Sequence, residues 1–299
     1  MPGSTAALVD LLDLETIDVD LYRGRQPETD RQRVFGGQVA AQALIAGARS
    51  VDPAYVVHSL HSYFLRPGDT SVPIIYDVER LRDGRSFATR RVMARQHGRP
   101  IYVQTVDFQR AEEGLEHQDV MPEVVPPEQG YDLIDLIAQR DPDQARAFAR
   151  EWSAMDMRYV GTSRLGLPDD PLHPARARLW VRIAGSLTDD PLLHLAAFTY
   201  ASDMTLLGAS LVPHDLTLSS PGLQPASLDH TVWFHRPFRA DDWWLYDQWS
   251  PTATGGRGLN LGRVFAPDGR LVATVAQEGL IRMRRDEAQA GPRGPRAGG

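Results

Sequence analysis

One carboxylate interrupts the most apolar stretch of the chain. Asp203 is the only acidic residue between Asp190 and Asp215, and its surroundings include Leu195, Phe198, Tyr200, Met204, Leu206 and Leu207. A helix that is apolar nearly all round belongs in a core, and a carboxylate carried into a core needs partners. Two more polar residues sit in apolar company. Gln277 shares one face of a strand-like run, 271–283, with Ala273, Val275, Gly279 and Ile281, and Ser227 opens the run 227–237. A carboxylate in such a place is a candidate for proton-transfer work. The three residues could equally do no more than satisfy one another inside the fold, and residue pattern alone leaves both readings open.

What the chain lacks narrows the chemistry. It has no cysteine, which removes disulfides, thiolate nucleophiles, acyl-cysteine intermediates and thiolate-bound metals. All 32 basic residues are arginine, which removes Schiff-base lysine chemistry. A hydrolase of this composition must attack with a hydroxyl, a carboxylate or water. No G-x-S-x-G elbow is present, because the run from Gly161 to Gly166 has the wrong spacing, and there is no H-E-x-x-H. The run from Gly255 to Gly262 misses the dinucleotide pattern by one residue and leads into a strand, so it reads as a hairpin turn. The 9 histidines are scattered, and no metal or other cofactor is expected. A net charge of −7 argues against a nucleic-acid partner. The longest apolar run, Pro191 to Pro213, contains His194 and Asp203 and reads as a buried helix rather than a membrane span. Met1 to Leu12 lacks a signal-peptide pattern and the final Ala-Gly-Gly is no peroxisomal address, so the expected location is cytoplasmic.

The elements that must position these residues come from a repeat. At an offset of 170 residues Tyr63-Phe64 falls on Trp233-Phe234, Arg66-Pro67 on Arg236-Pro237 and Tyr76-Asp77 on Tyr246-Asp247. A slip of one or two residues brings Arg85 onto Arg257 and Gly98-Arg99 onto Gly269-Arg270. The period is too long for a solenoid and predicts a doubled domain. In the first half a small-residue helix over 36–49 precedes strands near 54–66, 71–82, 86–96 and 100–110. In the second a helix over 191–211 precedes strands near 226–237, 242–250, 257–266 and 271–283. Each half is thus a long helix followed by an antiparallel meander, an α+β arrangement in which a sheet wraps a central helix. The predicted bounds are 8–111 for the first half, 112–153 for a linker with two short helices, 154–284 for the second half and 285–299 for a disordered tail. Asp141-Pro142 supplies a cap and a first-turn proline for the second linker helix.

Three blocks resemble the type II acyl-CoA thioesterases, the TesB family. They are Val34 to Gln38, His58 to Asp69 and Leu228 to Pro237, supported by Leu81 to Phe87 and by Gln277-Glu278-Gly279. The likeness runs from about residue 8 to 283. It implies a double hotdog, two antiparallel sheets each wrapped around a long helix, in agreement with the duplication. It also implies hydrolysis of fatty acyl-CoA to free fatty acid and CoA, with catalytic roles for Asp203, Ser227 and Gln277. Better-known bacterial members carry threonine where this chain has Ser227, and either hydroxyl can donate and accept.

On this resemblance Asp203 deprotonates a water that attacks the thioester carbonyl, while Gln277 and Ser227 fix the water and the carboxylate. Burial raises the carboxyl's pKa and donated hydrogen bonds lower it, a balance the sequence leaves open. Gly36-Gly37-Gln38 opens the first-half helix, so the Gly37 N–H is a candidate oxyanion donor; a glycine required only for tight packing is the alternative. The first-half helix carries Gln38 and Gln42 but no carboxylate, which predicts one working site per chain. A hotdog enoyl-CoA hydratase, which would want an Asp/His pair, and a non-catalytic acyl-CoA-binding protein are the rival readings. A homodimer or larger homo-oligomer is expected. Chain-length preference and the arginines that meet CoA phosphates are not legible.

Overall fold

The computed structural model describes residues 1–29 and 31–284, so the tail expected to be disordered, 285–299, lies outside them. The first half runs α1 (Thr5–Leu12), β1 (Glu15–Asp18), β2 (Leu21–Gly24), α2 (Gly36–Ala48), β3 (Tyr55–Phe64), β4 (Ile74–Asp83), β5 (Phe87–Gln96) and β6 (Arg99–Arg110). Between the halves come β7 (Tyr131–Asp132), α3 (Leu133–Ala138) and α4 (Pro142–Glu151). The second half contains β8 (Met155–Thr162), β9 (Arg176–Ile183), α5 (Pro191–Ser202), a 3-10 run over Leu206–His214, β10 (Leu223–Ser227), β11 (Asp229–Phe234), β12 (Trp244–Thr254), β13 (Arg257–Phe265) and β14 (Leu271–Met283). Asp141 caps α4 by accepting the N–H groups of Asp143 and Gln144, with Pro142 in the first turn, as its sequence predicts. The hairpin β12–β13 turns at Gly255 and Gly256, whose φ of 59° and 76° suit glycine and the twist of paired strands.

The strand order exposes the duplication. In the first half β2, β4, β5, β6 and β3 lie side by side, and in the second β9, β12, β13, β14 and β11 repeat that order. The sequence divides the strands into two sheets, but in the structure these half-sheets run on as one 14-stranded sheet, because β3 pairs antiparallel with β11. Each of those strands would otherwise leave an edge of unpaired N–H and C=O groups. At the seam His61 lies opposite Thr231, and these residues differ by the repeat length, 231 − 61 = 170. A pseudo-twofold axis therefore passes through this pair.

Helix α2 is buried from Gly37 to Gly47, and its small side chains let α5 come close. A Cβ on Gly37 would strike the Tyr200 carbonyl and the Phe35 ring. The helix expected over 191–211 is shorter than its apolar run. It ends at Ser202, whose hydroxyl donates to the Thr199 carbonyl at 3.1 Å, the acceptor that the Asp203 N–H would use in a continuing helix. Asp203 is thus a C-cap rather than a mid-helix residue. The helical run Pro191–His214 is long and apolar enough to cross a membrane, with mean hydropathy 1.3, and 78% of its most apolar stretch is buried within the protein.

The segment before α3 does more than connect. Trp180 Nε1 donates to the Val125 carbonyl at 2.8 Å, and Gln118 bonds Gly269 and Leu271 at 2.8 and 3.1 Å. Met121 and Val124 close a second small core over Trp180, Leu245 and Phe265. Strands β8 and β9 had no counterpart in the sequence reading. β9 occupies beside β12 the place that β2 takes beside β4.

Candidate active site

Asp203 stands where two helices meet end to end. It closes α5, and its carboxylate lies at the N-terminus of α2, whose own N-cap, Phe35, has no side chain able to accept. The Gly37 N–H donates to that carboxylate. A Cβ on Gly36 would fall 2.6 Å from Asp203 Oδ2 and 2.8 Å from the Phe64 ring, so only glycine fits there. The positive end of the α2 dipole and the N–H favour the anion, whereas the C-terminal end of α5 disfavours it.

The structure brings Asp203, Ser227 and Gln277 together from three elements. Gln277 Nε2 donates to Asp203 Oδ1 and lies 3.0 Å from Ser227 Oγ. Ser227 Oγ donates to the same carboxylate oxygen at 3.3 Å. Burial pushes the Asp203 carboxyl up to about 7, against the hydrogen bonds from Gln277, Ser227 and the Gly37 N–H that pull it down. Desolvation wins, so the group changes charge near neutrality, as a general base should.

Local structure explains each placement. Gln277 faces inward on β14 opposite Asn260 of β13. Asn260, the chain's single asparagine, accepts from the Ser210 N–H at 2.9 Å and donates to the Gln277 carbonyl at 3.4 Å, tying the 3-10 run to the strand. Gln277 Oε1 is buried without a protein partner. Ser227 ends β10 rather than opening a long strand: the ladder to β14 breaks at Leu228, and β11 starts at Asp229. That break leaves Ser227 beside Gly279, two positions from Gln277. Gln38 and Gln42 lie elsewhere, bonding Gln26 and the carbonyls of Arg25 and Leu11.

Among the described residues the first half has no such cluster. Its pair matching Asn260 and Gln277 is Arg90 and Val106. Val106 offers no hydrogen bond, and Arg90 is consumed by Ser50, Asp83 and nearby carbonyls.

The sequence puts His230 near Ser227, but nothing in it places the ring beside Asp203. His230 is fully buried, with Nδ1 4.0 Å from Asp203 Oδ1 and Nε2 2.9 Å from Ser202 Oγ. Burial holds its pKa down to about 3, so the ring is neutral. The signal was available: His230, Val232 and Phe234 alternate along one face of β11, and that face points inward. Among the described residues no three His, Asp or Glu side chains are grouped to hold a metal.

A doubled helix-and-meander fold with a buried carboxyl near neutrality is a double hotdog with a candidate acid–base site. Comparison with known proteins narrows this. The acyl-CoA thioesterase family model matches residues 172–280, and the model of the acyl-CoA thioesterase N-terminal domain matches 25–109. Acyl-CoA thioesterase 2 of Haemophilus influenzae is 40% identical over 280 residues, covering 92% of this chain and 97% of its own. Human acyl-coenzyme A thioesterase 8 is 40% identical over 288 residues, covering 92% and 88%. The crystal structure of acyl-CoA thioesterase II TesB2 from Mycobacterium marinum superposes with a TM-score of 0.80 at 44% identity, covering 94% of this chain and 98% of that one. This chain belongs to the type II acyl-CoA thioesterase family and is an acyl-CoA thioester hydrolase.

Proposed function

We propose that the chain hydrolyses fatty acyl-CoA by direct attack of a water deprotonated by Asp203. The observation that carries this reading is a carboxyl near neutrality bound by an amide and a hydroxyl that leave its free lone pairs for a substrate water. The water gives one proton to Asp203 as its oxygen bonds the thioester carbon. The tetrahedral intermediate then collapses with cleavage of the C–S bond, and the Asp203 proton passes to the sulfur, releasing fatty acid and CoA. Ser227 and Gln277 orient the carboxylate throughout. The Gly37 N–H is the proposed oxyanion donor, shared with the carboxylate it faces and freed as Asp203 becomes neutral.

The Asp/His pair that a hydratase would want has a spatial match in Asp203 and His230. A ring held near 3 is, however, a poor proton carrier at neutral pH. We further propose one working site per chain, a cytoplasmic place in fatty acid metabolism and a homodimer or larger homo-oligomer, the last to be read by light scattering on the purified chain. The decisive experiment follows thiol release across acyl-CoA lengths for the wild type and Asp203→Ala. Loss of all turnover is expected, and a variant with near wild-type rates would overturn the mechanism.

A further inference from the structure

The two ring nitrogens of His230 have unlike surroundings. The strand is pinned by Ser62, whose hydroxyl donates to the His230 carbonyl at 2.6 Å. Nε2 lies 2.9 Å from Ser202 Oγ. That hydroxyl has one hydrogen and directs it to the Thr199 carbonyl at 3.1 Å, so towards the ring it can only accept. Nε2 therefore carries the imidazole proton, and Nδ1 is bare. Nδ1 has no hydrogen-bond partner and faces Asp203 Oδ1 at 4.0 Å.

We propose that His230, held in its Nε2–H form by Ser202, is a positioning residue that strengthens Asp203 as a base. A bare lone pair beside the carboxyl disfavours the anion and favours the protonated form that appears when water gives up its proton. The imidazole itself gains and loses no proton: one hydrogen moves from water to Asp203 and later to sulfur. The inference rests on Asp203 being the general base.

The other groups facing Asp203 act differently. Gln277 from β14, Ser227 from β10 and the Gly37 N–H from α2 all donate to it and favour the anion. Tyr102 of β6 and Tyr246 of β12 are buried phenols held neutral by desolvation, with Asp203 adding to that shift in each. Among the described residues no arginine pairs with Asp203. The Ser202 hydroxyl, on the last residue of α5, thus sets the tautomer next to the base.

Ser202→Ala removes the acceptor that selects the tautomer and lets the ring turn a proton towards the carboxylate. The acid limb of the kcat/KM profile should then move down by about half to one pH unit, with kcat on the plateau lowered on the order of tenfold and KM unchanged. His230→Phe keeps the bulk, deletes the lone pair and should move the limb the same way. Nitrogen NMR of the histidine-labelled full chain should show His230 as a neutral Nε2–H ring from pH 6 to 8, assigned by its disappearance in His230→Phe. An Nδ1–H ring, a ring that protonates in that range, or folded variants with an unmoved acid limb would overturn the proposal. If both variants fail to fold, the tautomer in the wild type decides. Asp203→Asn separates the two levels: an active Asp203→Asn sinks the general-base reading itself, whereas an inactive one with an unmoved limb in the other variants sinks only the role of His230.

Discussion

Asp203 gains its chemistry from being expensive to bury. Its carboxyl rises from 3.8 to about 7 because desolvation outweighs three donated hydrogen bonds. The proposed mechanism uses the ionised form, so kcat/KM should climb with pH through about 7 and level off above it. Stability has the opposite sign. A carboxyl whose pKa is raised on folding adds stability that is fully present below about pH 4 and is lost as pH rises through 7. The gap corresponds to roughly 4 kcal/mol when the group is fully ionised, as an upper bound. Asp203→Asn should therefore melt above the wild type at pH 8, by a smaller margin at pH 5, and close to it only near pH 4, while hydrolysis falls by about a thousandfold or more. Equal melting temperatures at pH 8 would show that the carboxylate is adequately solvated. Gly36→Ala is a second test at this scale. Its new Cβ would press on Asp203 Oδ2 and the Phe64 ring, so kcat should drop more than KM changes.

Helix ends decide the site. α5 delivers Asp203 at its C-cap, and α2 receives that carboxylate because no side chain of its own caps it. The close approach of α2 and α5 depends on Gly37. Gly37→Ala would push the helices apart at the Tyr200 carbonyl and should cost about 1–3 kcal/mol, read as a lower denaturation midpoint. A comparable argument applies to the segment that crosses the second half. Trp180 is buried beneath Met121 and Val124 and donates to the Val125 carbonyl. Trp180→Ala should cost about 3–5 kcal/mol and make the 112–130 segment an early site of proteolysis. An unchanged cleavage pattern would mean that the segment is held by Gln118 and by the ion pair of Asp119 with Arg263 without the indole.

At the scale of the molecule, duplication has placed the Asp203, Ser227 and Gln277 cluster in the second half. Arg90 and Val106 occupy the places of Asn260 and Gln277, and the carboxylate that reaches Arg90 is the exposed Asp83. Asp203→Ala should therefore leave no residual turnover of the kind an intact second site would supply, as measured by thiol release at saturating substrate. The seam explains why the halves cannot separate. β3 and β11 complete one another's edges, and Gly36 and Gly37 of the first half hold the carboxylate of the second. Unfolding in a calorimeter should accordingly give one transition; two resolved transitions would show that the halves are energetically independent.

Much of this was written in the order of residues. The period of 170 is visible along the chain, and so are the meanders, the caps Asp141 and Pro142, and the oddity of Asp203 and Gln277 in apolar runs, because local propensity and alternation act over a few residues. β8 and β9 were missed, since nothing in the stretch 155–183 signals its pairing partner. The end of α5 at Ser202 was missed because the apolar pattern continues past it into the 3-10 run Leu206–His214. The sequence by itself determined a doubled fold and the identity of three polar residues with no business in a core. Only the tertiary structure decided that these three touch, that the carboxyl titrates near 7, that His230 stands beside it and that the two half-sheets become one. Those facts depend on desolvation and on pairings between residues tens to hundreds of positions apart, which no local pattern carries.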